Sequence, residues 1–286
     1  MRRITYIGLC LAGTLALAGC QKSSDAEVER ALENVNVIDE SNLNDIMLTV
    51  ADPNEAVDYF KRATNDHPER MDLQRGLALS LIRAKKPREA AVVWAKIVAS
   101  PEAGNEDRVN YADSLIRTGE WKKAEAQLNQ IPPTHETFKR YRLEAMIADS
   151  NRDWKKADSF YETAVGLTTT PASVLNNWGY SKLTRGEFSG AERLFVDAIG
   201  YDKNLFTAKN NLILARGAQR NYKMPLIPMT QVEKAQLLHT LALSAVKQGD
   251  TATGRSLLNE AIDTHPQYFE EAVRSLATLD GGNRKT

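Results

Sequence analysis

Apolar positions along this chain follow two superimposed rhythms. The fine one is helical: Leu77, Ala78 and Leu81 share one face of a segment, and Ala90, Trp94 and Ile97 share a face of the next, the three-and-four spacing of amphipathic α-helices. The coarse one is a repeat. Ala56, Ala90, Ala124, Ala157 and Ala191 stand 34, 34, 33 and 34 residues apart. Four residues after each comes Phe60, Trp94, Leu128, Tyr161 or Phe195, and seven after each comes Ala63, Ile97, Ile131, Ala164 or Ala198. A fixed period near 34 is that of stacked helix-turn-helix units, so the pattern predicts an all-α array.

Val28, Leu32, Val35, Ile38, Leu43, Met47 and Val50 predict a first helix over 27–50. Asp52-Pro53 opens a second, with Asp as cap and Pro in the first turn, ending before Pro68. Hairpins are predicted over 70–99, 105–131 and 136–167. A fifth reads Asn177-Trp178-Gly179-Tyr180, then Gly186-Glu187-Phe188, then Ala191, Phe195 and Ala198. The array then slips. A helix at about 205–219 starts a sixth unit, but its second helix is missing, and 221–229 carries Pro225 and Pro228 instead. A last hairpin spans about 231–265 and a closing helix 267–279; Gly254 lies 63 residues after Ala191, five short of two periods.

The order large apolar, small, large apolar, then Ala, aromatic, Ala and an occasional Pro resembles the tetratricopeptide repeat (TPR). The small position is Ala78, Ala112, Ala145 and Gly179, and the terminal Pro survives only as Pro68 and Pro266. The resemblance covers residues 37–204 and implies a right-handed superhelical solenoid of TPR hairpins with a C-terminal capping helix. The expected organisation is 1–19 leader, 20–26 tether, 27–204 TPR array, 205–230 helix plus Pro-containing insert, 231–280 final hairpin and cap, and 281–286 loose tail.

The leader is read from Arg2 and Arg3, the apolar run Ile4 to Ala18, and Leu17-Ala18-Gly19-Cys20, an export-signal layout too short to span a bilayer comfortably. The last four residues resemble the lipobox of bacterial lipoproteins. That implies removal of 1–19, lipidation of Cys20 and anchoring by several acyl chains. Gln21 implies the periplasmic face of the outer membrane, with the inner membrane as the other address. Cys10 would leave with the leader, so no disulfide is expected.

Charge narrows the partners. There are 37 basic and 37 acidic side chains, a balance without the basic excess that nucleic-acid binding requires. Catalysis is not expected either. His67 and His265 sit at helix ends before prolines, His135 lies in a Pro-rich loop, and His239 has no ligand partner at i±4. Neither a metalloprotease helix motif nor a nucleophile elbow nor a phosphate-binding glycine loop occurs. The reading is therefore a non-enzymatic scaffold without cofactor, metal or small-molecule substrate.

TPR arrays use the first helices of successive hairpins as the partner face. Arg75, Arg83, Asp113, Arg117, Arg142, Asn176, Tyr180 and Asn210 are placed there. Asn176 and Asn210 hold one repeat position and either bond a peptide backbone or bond only neighbouring helices. The basic set of a carboxylate-clamp TPR domain is incomplete. The tryptophans and Tyr111, Tyr141 and Tyr161 recur in register and are assigned to packing. Met224, Leu226, Ile227 and Met229 lie out of register; they either plug the stack or offer an apolar contact.

The lipobox, the repeat number, the openings Asn176-Asn177-Trp178-Gly179 and Lys209-Asn210-Asn211-Leu212, and the run from His265 to Arg274 together resemble the TadD family, the TPR lipoproteins of the tight-adherence (Flp/Tad) pilus system. The resemblance implies a pilotin-like role in which secretin or other pilus-assembly components are the partners. Lipoproteins of outer-membrane β-barrel assembly and structural adaptors of the envelope are the competing kinds.

Overall fold

The computed structural model describes residues 43–282, which fall in two units, Met1–Ile97 and Val98–Thr286. The leader, Cys20, the tether, the predicted helical stretch 27–42 and tail residues 283–286 lie outside the described residues. Among the described residues every regular element is a helix.

In the first unit, the described part of α1 covers 43–49, followed by α2 (Pro53–Asp66), α3 (Met71–Arg83) and α4 (Pro87–Val98). Asp52 caps α2 by accepting from the amides of Asn54 and Glu55, and Pro53 occupies the first turn, where no amide is missed. Phe60 is buried against Gly76 of α3, where a Cβ would lie 2.3 Å from its ring.

The second unit runs α5 (Asn105–Arg117), α6 (Trp121–Leu128), α7 (Phe138–Ser150), α8 (Trp154–Gly166), α9 (Ala172–Thr184), α10 (Phe188–Tyr201), α11 (Phe206–Ala218), α12 (Gln231–Lys247), α13 (Thr251–Thr264) and α14 (Glu270–Gly282). The α5–α6, α7–α8, α9–α10 and α12–α13 pairs pack as hairpins. The repeat alanines Ala124, Ala157 and Ala191 are fully buried, which lets paired helices approach, and Leu128, Tyr161 and Phe195 fill the space beside them. α14 closes the stack, with its Ala272 and the preceding Phe269 buried. It continues to Gly282, two residues into the stretch expected to be tail.

One turn design recurs through both units. Lys85, Gly119, Arg152, Gly186, Arg220 and Gly249 all have φ between 58° and 85°. The amide that follows each reaches back five residues, as in Glu187 to the Lys182 carbonyl (2.9 Å) and Asn221 to the Arg216 carbonyl (3.0 Å). This is the helix stop that a left-handed residue makes possible. Three of the six positions use a residue with a Cβ, which is disfavoured there by about 1–2 kcal/mol. Arg152 is exposed, so Arg152→Gly is expected to stabilise by about 0.5–1 kcal/mol once glycine's extra chain entropy is subtracted. A lower urea midpoint for the variant would contradict this.

The sixth unit keeps this turn and loses its helix. Arg220 is left-handed as in the other turns, and Tyr222 stands where Trp121, Trp154 and Phe188 begin α6, α8 and α10. Pro225 then falls 34 residues after Ala191, on the repeat-alanine position itself. A proline there and another at 228 remove amide donors and clash with the preceding turn, so 221–229 runs as an irregular strap. Thr230 and Glu233 restart the chain as α12 through a reciprocal capping box. Of the strap's apolar residues, Met224 and Met229 are partly buried against the α12–α14 core and Ile227 against the α9–α11 core. Leu226 alone is fully exposed.

Candidate partner-binding groove

The first helices α7, α9 and α11 line a cavity of about 470 Å³, completed by Trp121 of α6 and by Trp154 and Tyr161 of α8. Asp149 anchors one wall. It accepts hydrogen bonds from Ser181 Oγ (2.6 Å) and Tyr161 Oη (2.8 Å). Burial pushes the Asp149 carboxyl above its usual range, against the opposing pull of those two donors. Burial and the Asp149 charge likewise push the Tyr161 phenol far up. Beside the cavity, Asp158 accepts from Trp178 Nε1 (2.6 Å) and, at 2.7 Å on both oxygens, from Arg185 Nη2. That network ties α8 to α9 and holds the cavity wall in place.

The groove-facing groups are otherwise uncharged: Asn176, Asn177, Thr184, Thr207 and Asn211, with the aromatic rings of Trp121 and Tyr180. Tyr180 is 54 % exposed. One repeat on, the Tyr180 position is Leu214, and on α12 it is Leu243; both are exposed and line a second cavity of about 620 Å³ with Ala218, Thr240, Ser244, Lys247 and Gln248. The helices therefore present an apolar row flanked by amides and hydroxyls, suited to an extended chain whose backbone needs partners and whose side chains are not highly charged.

The predicted partner residues divide among several places. Asn176 and Tyr180 line the groove. Asn210 does not, and its Oδ1 accepts from Thr240 Oγ1 on α12 (2.9 Å). Asn176 Oδ1 accepts from Asn211 Nδ2 (3.0 Å), so both asparagines tie neighbouring first helices together through that oxygen. Asp113, Arg117 and Arg142 meet on α5 and α7: Arg117 Nε lies 3.2 Å from Asp113 Oδ1, and Asp113 and Arg142 influence each other electrostatically. In the first unit Arg75 is half-buried on α3, and Arg83 donates to the carbonyls of Met47 and Ala51, both at 2.8 Å, closing the end of α1.

The sequence reading missed Asn211, Thr207, Met146 and Asp149, and it assigned Trp121 and Trp154 to packing although both line the cavity. The doublet Asn210-Asn211 was the available signal for the first of these. The register of Met146, Tyr180, Leu214 and Leu243 was the signal for the apolar row.

No protein-family model matches the sequence, and no curated protein matches it. Solved structures do. The chain superposes on the Cut9–Hcn1 hetero-tetramer of the APC/C with a TM-score of 0.58 at 16% identity, over 80% of this chain and 46% of that one. It superposes on a tetratricopeptide repeat protein from Parabacteroides merdae with a TM-score of 0.53 at 14% identity, over 90% and 98% of the two chains. The fold is a TPR solenoid. Against human IFIT1, in a dimer with PPP-AAAA, the TM-score is 0.55 at 14% identity, over 79% and 59%. The chain thus spans about half the length of two of these neighbours. These likenesses show the fold alone, and a ligand is chosen by each array's own groove rather than by the fold.

Proposed function

We propose that this TPR array is a lipid-anchored scaffold of the bacterial envelope that holds an extended segment of a partner protein in the α7–α11 groove. The observation that carries the reading is that trough, uncharged apart from Asp149, with Tyr180 exposed beside Asn177 and Asn211. The partner is the secretin of a tight-adherence pilus, with the chain acting as a TadD-like pilotin. Support for this comes from the lipobox-like Leu17-Ala18-Gly19-Cys20 and the run from His265 to Arg274. A lipid anchor on Cys20 at the outer membrane would raise the effective concentration of groove and secretin in the same plane.

The test is capture from detergent-solubilised outer membranes with the tagged full chain. Secretin is expected among the captured proteins, falling at least about tenfold with the Tyr180→Ala, Asn211→Ala double variant, as for the loss of a central contact. Cys20→Ser is expected to abolish lipid labelling and release the chain from the membrane. Capture of barrel-assembly components instead of secretin would replace the pilus reading, and undiminished capture by the double variant would move the contact out of the groove.

A further inference from the structure

Asp149 is the one charged side chain that lines the α7–α11 cavity, and the fold gives it no counter-ion. Its two oxygens accept from Ser181 and Tyr161, one hydroxyl each. Both donors are neutral, and among the described residues no cation forms an ion pair with it. The Arg185 charge is felt there, but Arg185 pairs with Asp158 (2.7 Å) and Glu187 (2.8 Å). Lys182 is divided between the same two carboxylates, at 3.4 and 2.8 Å. Arg142, whose charge reaches the Tyr161 phenol, is opposed by Asp113. Burial disfavours the ionised form of Asp149, so a carboxylate kept there without a counter-ion costs the native state stability.

The walls around this carboxylate are aromatic. Trp121 from α6, Trp154 and Tyr161 from α8 and Tyr180 from α9 line the same cavity, and Met146 adds an apolar side chain. An aromatic ring carries a negative face, so a cation set against several rings is held without hydrogen bonds. The chain already uses neighbouring rings in this way. The Arg185 guanidinium lies 5.7 Å from the Trp154 ring centre, and the Lys182 ammonium 5.9 Å from that of Trp178. Neither cation lines the cavity. Packing alone does not account for the ring set, because the Tyr180 position is leucine in the later repeats, as Leu214 and Leu243. Tyr180 and Trp121 are also its exposed members, whereas Tyr161 is buried.

We infer that this cavity is a binding site for an alkylammonium group, and that its occupant is a lysine side chain of the partner segment. Asp149 supplies the counter-charge, the four rings surround the head, and Met146 flanks the methylene stem. With one hydroxyl already on each oxygen, the carboxylate suits a point charge better than the two-pronged contact of a guanidinium. The bound segment is therefore uncharged except for one lysine, set at the α7–α9 end of the groove. The inference rests on the scaffold reading for the source of the lysine. Its test uses small cations, so it stands or falls apart from the capture of secretin.

The experiment follows the tryptophan fluorescence of the full chain during titration with n-butylammonium chloride, tetramethylammonium chloride, sodium chloride or n-butanol at constant ionic strength. Butylammonium, which copies the lysine side chain, is expected to give a saturable change with half-saturation at about 1–10 mM. Sodium chloride and butanol are expected to give none. Asp149→Asn keeps an acceptor for one hydroxyl and a donor for the other, and is expected to raise the half-saturation concentration at least about tenfold. Tyr180→Leu installs the residue of the later repeats at an exposed position and is expected to raise it about two- to fivefold; it tests the site even if Asp149→Asn does not fold. No saturation by butylammonium in the wild type would overturn the site, and so would a response unaltered by either variant. An equal response to butanol would overturn the role of charge. Tighter binding of tetramethylammonium than of butylammonium would overturn the lysine assignment.

Discussion

Phe195→Ala is expected to destabilise the protein by about 3–5 kcal/mol, the range for deleting a large aromatic from a packed core. Phe195 is 0 % exposed and sits in the α9–α11 core among Leu175, Ala198, Ala208 and Leu212. Its ring lies over the backbone of α9 at Gly179, where a Cβ would come within 2.7 Å. Neighbouring helices are held by their own contacts, so the void would remain largely open. Urea unfolding measures the loss, and a change within about 0.5 kcal/mol would mean the ring is not buried. The same geometry predicts strong coupling. Gly179→Ala alone clashes with the ring, whereas in the Phe195→Ala background that clash is gone, so the double variant is more stable than the sum of the two single losses.

Glu233→Ala is expected to cost a similar amount for an electrostatic reason. Lys209 on α11 has a side chain only 2 % exposed, and its Nζ lies 2.8 Å from Glu233 Oε1 on α12. Removing the carboxylate strands a buried ammonium, a loss of about 3–5 kcal/mol. It also opens the capping box, because Glu233 Oε2 accepts the Thr230 amide at 2.7 Å. Glu233→Gln retains the cap acceptor and is expected to lose less. Burial alone would raise the Glu233 pKa, but the hydrogen bonds from Lys209 and the Thr230 amide and the Lys209 charge outweigh it and hold it below the usual 4.5. The ionised form is therefore favoured by folding. Its contribution is complete above pH 4.5 and is lost as the pH falls through the lower folded value. The gap between wild type and Glu233→Ala should accordingly narrow in acid. A gap independent of pH would contradict the ion pair.

The repeat was legible because packing dictates it. Only alanine or glycine lets two helices approach at those positions, and only a large apolar residue fills the space one turn on, so the chain displays its period openly. The strap was legible as a break, and Pro225 on the alanine position explains it, but the separate fates of its apolar residues were not. In an irregular segment no fixed periodicity assigns a side chain to a face, so Ile227 and Leu226 could not be told apart in advance. The groove was half legible. Register places Asn176 and Tyr180 on the inward side, yet which of Asn210 and Asn211 faces the cavity depends on a fraction of a helical turn. Arg83 was opaque for another reason: its acceptors are the carbonyls of Met47 and Ala51, and backbone oxygens leave no trace in a sequence pattern.

The strap also sets how the stack fluctuates. In a linear array, order passes only between neighbours, so a terminal block can open without unravelling the rest. At the strap a whole helix is absent, and α12 is joined to α11 by the Lys209–Glu233 pair, by Thr240 Oγ1 on Asn210 Oδ1 (2.9 Å), by Gln248 Nε2 on the Gly217 carbonyl (2.7 Å) and by the packing of Ile213 on the α12–α14 core. Amides of α12, α13 and α14 should therefore exchange with solvent through one shared opening. The end of the molecule then behaves as a cooperative block whose release requires the buried Lys209–Glu233 pair to part.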